Sequence, residues 1–178
     1  LTAGRQDPLV GVAQVPDKRL AHLTSLFDPR KHVSATVELT ELAGHGGTAA
    51  LLDVSGFRQA DALLHVVRAF EDPSVPHVEG SIDSHRDLAV MDLELAFADL
   101  AILERRVERL EGELKSTKSH EREAKLREHA TLDRIKGDLQ LEVPIREQRL
   151  SAEEAKLLDS FQFLTAKPML IVWNIGED

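Results

Sequence analysis

Pro168-Met169-Leu170-Ile171-Val172-Trp173, running straight into Asn174-Ile175-Gly176-Glu177, is the stretch on which the reading of the fold turns. Its uncharged, β-branched and aromatic residues read as a buried strand, and near-continuous apolar strands are those of parallel sheets covered on both faces. The strand ends at a polar Asn-x-x-Glu. In open α/β sheets ligands bind just beyond the carboxyl ends of the strands, which makes Asn174 and Glu177 candidate ligand contacts. Working back along the chain, Ala62 to Phe70 is a second nearly continuous apolar run and a second parallel strand. Ala35 to Leu42 alternates, with Val37 and Leu39 on one face and Thr36, Glu38 and Thr40 on the other, which is a strand pattern. It leads into the glycine-rich turn Ala43-Gly44-His45-Gly46-Gly47 at its carboxyl end. The glycine turn and the Asn-x-x-Glu are therefore expected to open on one crevice of one sheet.

The segments between these strands read as helices. Residues 1–16 are irregular, punctuated by Gly4, Pro8, Gly11 and Pro16, after which Asp17 caps a short helix with Leu20, Leu23, Leu26 and Phe27 at helical spacing, stopped by Pro29. Another helix is expected from about Thr48 to Gln59, ending near Gly56. Ser84-His85-Arg86-Asp87 is a variant capping box opening the longest helix, whose apolar stripe passes from Leu88, Met91, Leu95, Ala98 and Ile102 to Leu103, Val107, Leu110 and Leu114. That narrow heptad seam with charged flanks covers a single partner. The partner is a weaker helix with Leu126, Leu132, Ile135 and Leu139, reached through the polar tip Lys115 to His120 and ended by Pro144. Residues 84–143 thus form an antiparallel helical hairpin, a coiled coil projecting from the body. Ser151-Ala152-Glu153-Glu154 is a further capping box, with Leu157, Leu158, Phe161 and Leu164 behind it. Strand, helix, strand, helical insertion, helix and strand in this order call for an open, mostly parallel α/β sheet. Residues 1–83 form the first part of its domain, 84–143 the insertion and 144–178 its continuation.

Composition narrows the function. With 178 residues, 42% apolar and 30% charged, the chain is long enough for one core plus an appendage. No apolar run approaches the roughly 20 residues that span a bilayer, and no signal peptide is evident. The absence of cysteine excludes disulfides and thiolate metal sites within the chain and fits a reducing compartment, and the lack of an export signal leads to the expectation of a cytoplasmic location. A net charge of −9 argues against coating nucleic acid and against sequence-specific DNA binding. His22, His32, His65, His77, His85, His120 and His129 show no ligand spacing for a transition metal, and His65, inside an apolar strand, reads as a hydrogen-bonded core residue. The chain begins with Leu1 and stops just past Asn-x-x-Glu, so both ends read as cut.

Several segments together resemble the Obg-like ATPase (YchF) family of P-loop NTPases. Val10-Gly11-Val12-Ala13-Gln14-Val15-Pro16-Asp17-Lys18-Arg19-Leu20 is similar to that family's Val-Gly-Val-x-x-Val-Pro-Asp-x-Arg-Leu. Ala35-Thr36-Val37-Glu38 leading to Ala43-Gly44 is similar to its strand and switch turn, and His65-Val66-Val67-Arg68 with Phe70-Glu71-Asp72 to its central strand. His77-Val78-Glu79-Gly80, Leu164-Thr165-Ala166-Lys167-Pro168 and Asn174-Ile175-Gly176-Glu177 complete the resemblance, which covers nearly the whole chain. It implies a partial P-loop NTPase with a Ras-like sheet and a coiled-coil insertion. It also implies ATP-preferring hydrolysis with Mg2+, association with the ribosome, and a TGS-type domain further on.

On that resemblance Asn174 and Glu177 read the base, Gly44 faces the γ-phosphate and Glu41 lies on the magnesium side. His45, by the proton chemistry of an imidazole alone, either orients or deprotonates the attacking water or is simply an exposed switch residue. P-loop GTPases carry Asn-Lys-x-Asp at the base-reading strand end. Here Ile175 stands for the lysine, and Glu177 sets the carboxylate a methylene further out, which weakens the match to guanine in favour of ATP over GTP. The departures matter equally. The phosphate-binding loop would precede Leu1, so the chain by itself is not expected to turn over nucleotide. Glu41 stands where the family has aspartate, and His45 where it has an apolar residue. A second reading follows from them: a non-hydrolysing paralogue that acts as an interaction module through its hairpin. In either case Lys115, Lys118, Arg122, Lys125 and Arg127 form the basic concentration at the hairpin tip, a candidate contact to ribosomal RNA.

Overall fold

The structure is a computed structural model that describes residues 9–41, 54–77 and 79–176. These fall into two compact units, Leu1–Gly46 and Gly47–Asp178.

In the first unit, strand β1 (Leu9–Gln14) is followed by helix α1 (Lys18–Phe27) and strand β2 (Thr36–Glu41). β1 and β2 pair antiparallel, with Leu9 opposite Glu41 and Gln14 opposite Thr36. This corrects the sequence reading twice. Residues 9–14 are a strand rather than irregular chain, and among the described residues β2 pairs with that strand instead of sharing one sheet with the later strands. Gly11 and Ala13 leave one face of β1 nearly without side chains, which hides its alternation; the hydrogen bonds of a neighbouring strand supply what pattern does not. Helix α1 forms as expected. Asp17 caps it by accepting from the Arg19 N–H at 2.8 Å, and Asp28, at φ 40°, closes it with its N–H on the Thr24 carbonyl at 3.0 Å. None of the described residues of this unit is buried, and Phe27 is 75% exposed. Two strands and one short helix are too small to enclose a core.

The second unit holds two more strands, β3 (Leu63–Arg68) and β4 (Met169–Asn174), and helices α2 (Ser84–Leu114), α3 (Ser119–Gln140) and α4 (Ala152–Leu158). β3 and β4 are parallel, from Leu63 opposite Met169 to Arg68 opposite Asn174. That pairing matches the expectation from their apolar runs. Among the described residues, however, there are two separate two-stranded sheets instead of one open sheet. One face of the β3–β4 pair is covered at its Leu63–Met169 end, where these residues pack with Leu95, Leu164 and Met91, while Ile171 and Trp173 further along that face of β4 stay exposed. On the other face Leu64, Val66, Leu170 and Val172 are exposed. β4 is therefore not the doubly buried strand its sequence implies. Residues 48–53 of the expected helix lie outside the described residues, and Val54–Gln59 is a 3₁₀ turn rather than an α-helix.

The hairpin is present and antiparallel, since Arg106 pairs with Glu128 at 2.6 Å while Glu113, further along α2, pairs with Lys125 at 2.7 Å, earlier on α3. Its seam is Leu103, Val107 and Leu110 of α2 against Leu132, Ile135 and Leu139 of α3, extended at the base by Ile145, Leu158 and Phe163. Two boundaries differ from the sequence reading. The N-cap of α2 is Asp83, whose carboxylate accepts from the Arg86 N–H at 3.0 Å, one residue ahead of the expected box. Helix α3 ends at Gln140, before Pro144: the proline disfavours helical backbone at Val143, and Glu142 has already turned left-handed at φ 64°. Ser151 and Glu154 form the full reciprocal capping box of α4.

Leu110 is fully buried in the seam. Leu110→Ala is expected to lower unfolding stability by about 3 kcal/mol, read as a shift of the urea midpoint. An unchanged midpoint would show that the two helices do not pack on this seam.

Candidate functional site

The carboxyl ends of β3 and β4 lie side by side, so the residues that leave them decide what can bind there. Arg68, the last residue of β3, straps its own loop. Its guanidinium donates to the carbonyls of Phe70 at 3.0 Å, Val75 at 2.8 Å and Asp72 at 3.2 Å, and it stacks over the Phe70 ring at 4.7 Å. Asp72 accepts from the Ser74 hydroxyl at 2.6 Å and the Ser74 N–H at 2.9 Å, and these bonds hold its carboxyl below the usual carboxylate range. The Ala69 N–H donates to the Asn174 carbonyl at 2.8 Å, tying this loop to the end of β4.

Asn174 is exposed at that end. A side chain built on Gly176 would meet Phe70 Cβ at 3.6 Å, ordinary contact, so the glycine is not required by packing. Trp173 sets an edge against the His85 ring at 5.8 Å between centroids and remains 43% exposed. At the start of α2, His77 Nε2 lies 2.9 Å from Asp87, which Arg86 also contacts.

Of the sequence-predicted residues, the structure places two. Asn174 ends β4, and Glu41 ends β2 as an exposed residue opposite Leu9. Gly44, His45 and Glu177 lie outside the described residues. Among the described residues β2, which leads to the glycine turn, is hydrogen-bonded to β1, and β4 to β3. Among the described residues no group of three or more His, Asp or Glu gathers as for a metal. Glu41 supplies one exposed carboxylate, which suits the chemistry of magnesium, an ion that takes one or two carboxylates and fills its shell with waters and phosphate oxygens. Arg68 is the organising residue that sequence reasoning did not single out. Its signal was a lone cation closing an otherwise apolar strand.

Comparison with known proteins decides the family. No family model matches the chain. It is 37% identical over 178 residues to the ribosome-binding ATPase YchF of Bacillus subtilis, covering 97% of this chain and 48% of that protein. It is 33% identical over 177 residues to Obg-like ATPase 1 of Oryza sativa subsp. indica, covering 96% and 44%. The solved YchF GTPase of Schizosaccharomyces pombe superposes with a TM-score of 0.80 at 31% identity, over 98% of this chain and 48% of that one.

The chain belongs to the YchF/Obg-like ATPase family. It spans about half the length of the relatives it matches. Their printed names divide between ATPase and GTPase, so the family name alone does not decide the base. Among the described residues no helix is long and apolar enough to cross a membrane.

His65 departs from its reading as a hydrogen-bonded core residue. Its Nδ1 is buried without a hydrogen-bond partner among the described residues. Burial pushes its pKa below the ordinary imidazole value, against the opposing pull of Asp92 and Asp87. The unfolded chain therefore takes up the proton first, and stability that is complete above the ordinary imidazole pKa is lost as pH falls through and below it. The denaturation midpoint is expected to fall between about pH 7 and about pH 5, less steeply in His65→Phe. Equal slopes in the two proteins would assign the loss to other groups.

Proposed function

We propose that the chain is part of a longer Obg-like ATPase of the cytoplasm, which binds ATP in preference to GTP, hydrolyses it with magnesium and acts at the ribosome. The observation that carries this reading is the exposed Asn174 at the carboxyl end of β4, beside a loop held in place by Arg68. A carboxamide both donates and accepts, which suits the adenine edge with its exocyclic amine and neighbouring ring nitrogen. In this reading Glu177 completes the base contact, Gly44 lies at the γ-phosphate, Glu41 contributes to the magnesium shell and His45 orients the attacking water. ATP supplies the phosphoryl group, and the residues of the chain bind, orient and neutralise rather than form a covalent bond.

The expected result is that Asn174→Ala in the full-length protein weakens ATP binding by about tenfold, measured by calorimetric titration. Glu177→Asp is expected to move the ratio of ATP to GTP dissociation constants toward GTP by a comparable factor. Tight and exclusive GTP binding by the parent protein would overturn the ATP reading.

The second reading is a non-hydrolysing module that docks through its hairpin, and the tip contact, which both readings share, rests on one observation. Lys125 and Arg127 are already paired with Glu113 and Glu123, and Arg122 donates to the Leu114 carbonyl. Lys115 and Lys118 are exposed, and among the described residues neither forms an ion pair. Lys115→Glu with Lys118→Glu is expected to reduce ribosome co-sedimentation at least about threefold, with a shallower salt dependence. An unaltered profile removes the tip as the contact, whichever reading holds for the nucleotide.

A further inference from the structure

The buried stripe of α2 runs Leu95, Asp99, Leu103, Val107, Leu110, with a carboxylate in an otherwise apolar series. Asp99 is 0% exposed. Its apolar neighbours on the stripe belong to different clusters. Leu95 packs with Leu164, Leu63 and Met169 over the sheet, whereas Leu103 opens the hairpin seam. Phe163 and Leu164, adjacent in sequence, are likewise divided between the hairpin cluster and the sheet cluster. Asp99 occupies the junction.

Among the described residues, the bonds it accepts come from two segments. Oδ1 accepts from the Leu164 N–H at 3.0 Å, and Oδ2 from the Thr165 N–H at 2.7 Å and the Thr165 hydroxyl at 2.9 Å. Arg58 reaches Oδ1 at 3.0 Å and also donates to the carbonyls of Ala98 at 3.1 Å and Gln162 at 3.3 Å. Thr165 lies in the turn closed by the Lys167 N–H on the Leu164 carbonyl at 3.2 Å, which delivers the chain into β4. Lys167 Nζ then reaches the Ala60 carbonyl at 2.6 Å, and the Leu63 N–H the Pro168 carbonyl at 2.8 Å. A buried ion pair is seldom more stabilising than apolar residues of the same volume, and its best-attested use is to enforce one register. A leucine at position 99 would let α2 slide against the 162–165 turn; four directional bonds would not.

We propose that Asp99 is a positioning residue for nucleotide binding. It clamps the root of the hairpin to the turn that aims β4, so that the placement of Asn174 depends on where α2 sits. Through Arg58 the same carboxylate holds the 54–59 turn, the described segment that follows the glycine-rich 43–47 stretch in sequence. This inference rests on the reading that Asn174 contacts the base.

The test is a double-mutant cycle in the full-length protein. Dissociation constants for ATP and for GTP are measured in the parent, Asp99→Asn, Asn174→Ala and the double variant, with thermal melts confirming that each is folded. Asp99→Asn is expected to change the ATP-to-GTP ratio about fivefold in the parent and to leave it unchanged in the Asn174→Ala background. Thr165→Val removes only the hydroxyl on Oδ2; it is expected to show about a twofold change with the same dependence on Asn174, and it carries the test if Asp99→Asn does not fold. A ratio that Asp99→Asn or Thr165→Val leaves unmoved, or moves equally in both backgrounds, overturns the role of Asp99 while the base contact stands. If Asn174→Ala alone changes neither constant, the base-contact reading fails, and this inference fails with it.

Discussion

Two parallel strands cannot be joined by a tight turn, and in the second unit the whole path from β3 to β4 is the crossover that this pairing demands. That requirement shapes everything between Arg68 and Met169. The chain must leave the carboxyl end of β3, return to the amino end of β4 and cover one face of the strands on the way. α2 does the covering with its first turns, where Met91 and Leu95 pack on the Leu63 and Met169 side of the sheet. It then runs on past the sheet, and the helix needs a new partner for the rest of its stripe. α3 is that partner, so the hairpin is the crossover lengthened rather than a separate body joined to it.

The price of a single helix serving two cores is a junction, and Asp99 stands at it. An apolar residue there would merge the two clusters and leave the relation of hairpin to sheet a matter of packing alone. The carboxylate instead takes two backbone N–H groups from the 164–165 turn and a guanidinium from the 54–59 turn. The two N–H groups would otherwise be buried donors without acceptors, which is costly, whereas Arg58 keeps the Ala98 and Gln162 carbonyls as partners. Arg68 plays a similar part at the other end of the sheet, collecting three loop carbonyls that the strand leaves behind. Asp99 satisfies buried backbone N–H groups, whereas Arg68 gathers carbonyls of a loop that is partly open to solvent.

The exposed apolar residues follow from how little sheet there is to share. Parallel sheets ordinarily have both faces covered. With two strands and helices on one side, Leu64, Val66, Leu170 and Val172 remain open among the described residues. The β1–α1–β2 unit shows the same in a stronger form, with no described residue buried. Similarity to YchF and Obg-like proteins covers this chain almost entirely while the chain covers about half of them. The proposed nucleotide chemistry is accordingly that of the longer protein, with Asn174 and Glu41 the candidate contacts at the described strand ends.

Sequence alone determined the elements whose signal is local. The hairpin followed from the heptad spacing of Leu103, Val107 and Leu110, α1 from Asp17 and its apolar repeat, and α4 from the Ser151–Glu154 box. The strand character of 63–68 and 169–174 was legible in unbroken apolar runs, and the family in short motifs spread along the chain. Tertiary structure alone decided pairing and junctions, because those depend on partners distant in sequence. β1 has too little side-chain pattern to announce itself until β2 lies beside it. Arg68 looks like any strand-end cation until the loop carbonyls close around it. Asp99 reads as a polar residue on a helix of 31 residues; only the fold brings Leu164, Thr165 and Arg58 to it, and a buried carboxylate has structural meaning only through the donors that surround it.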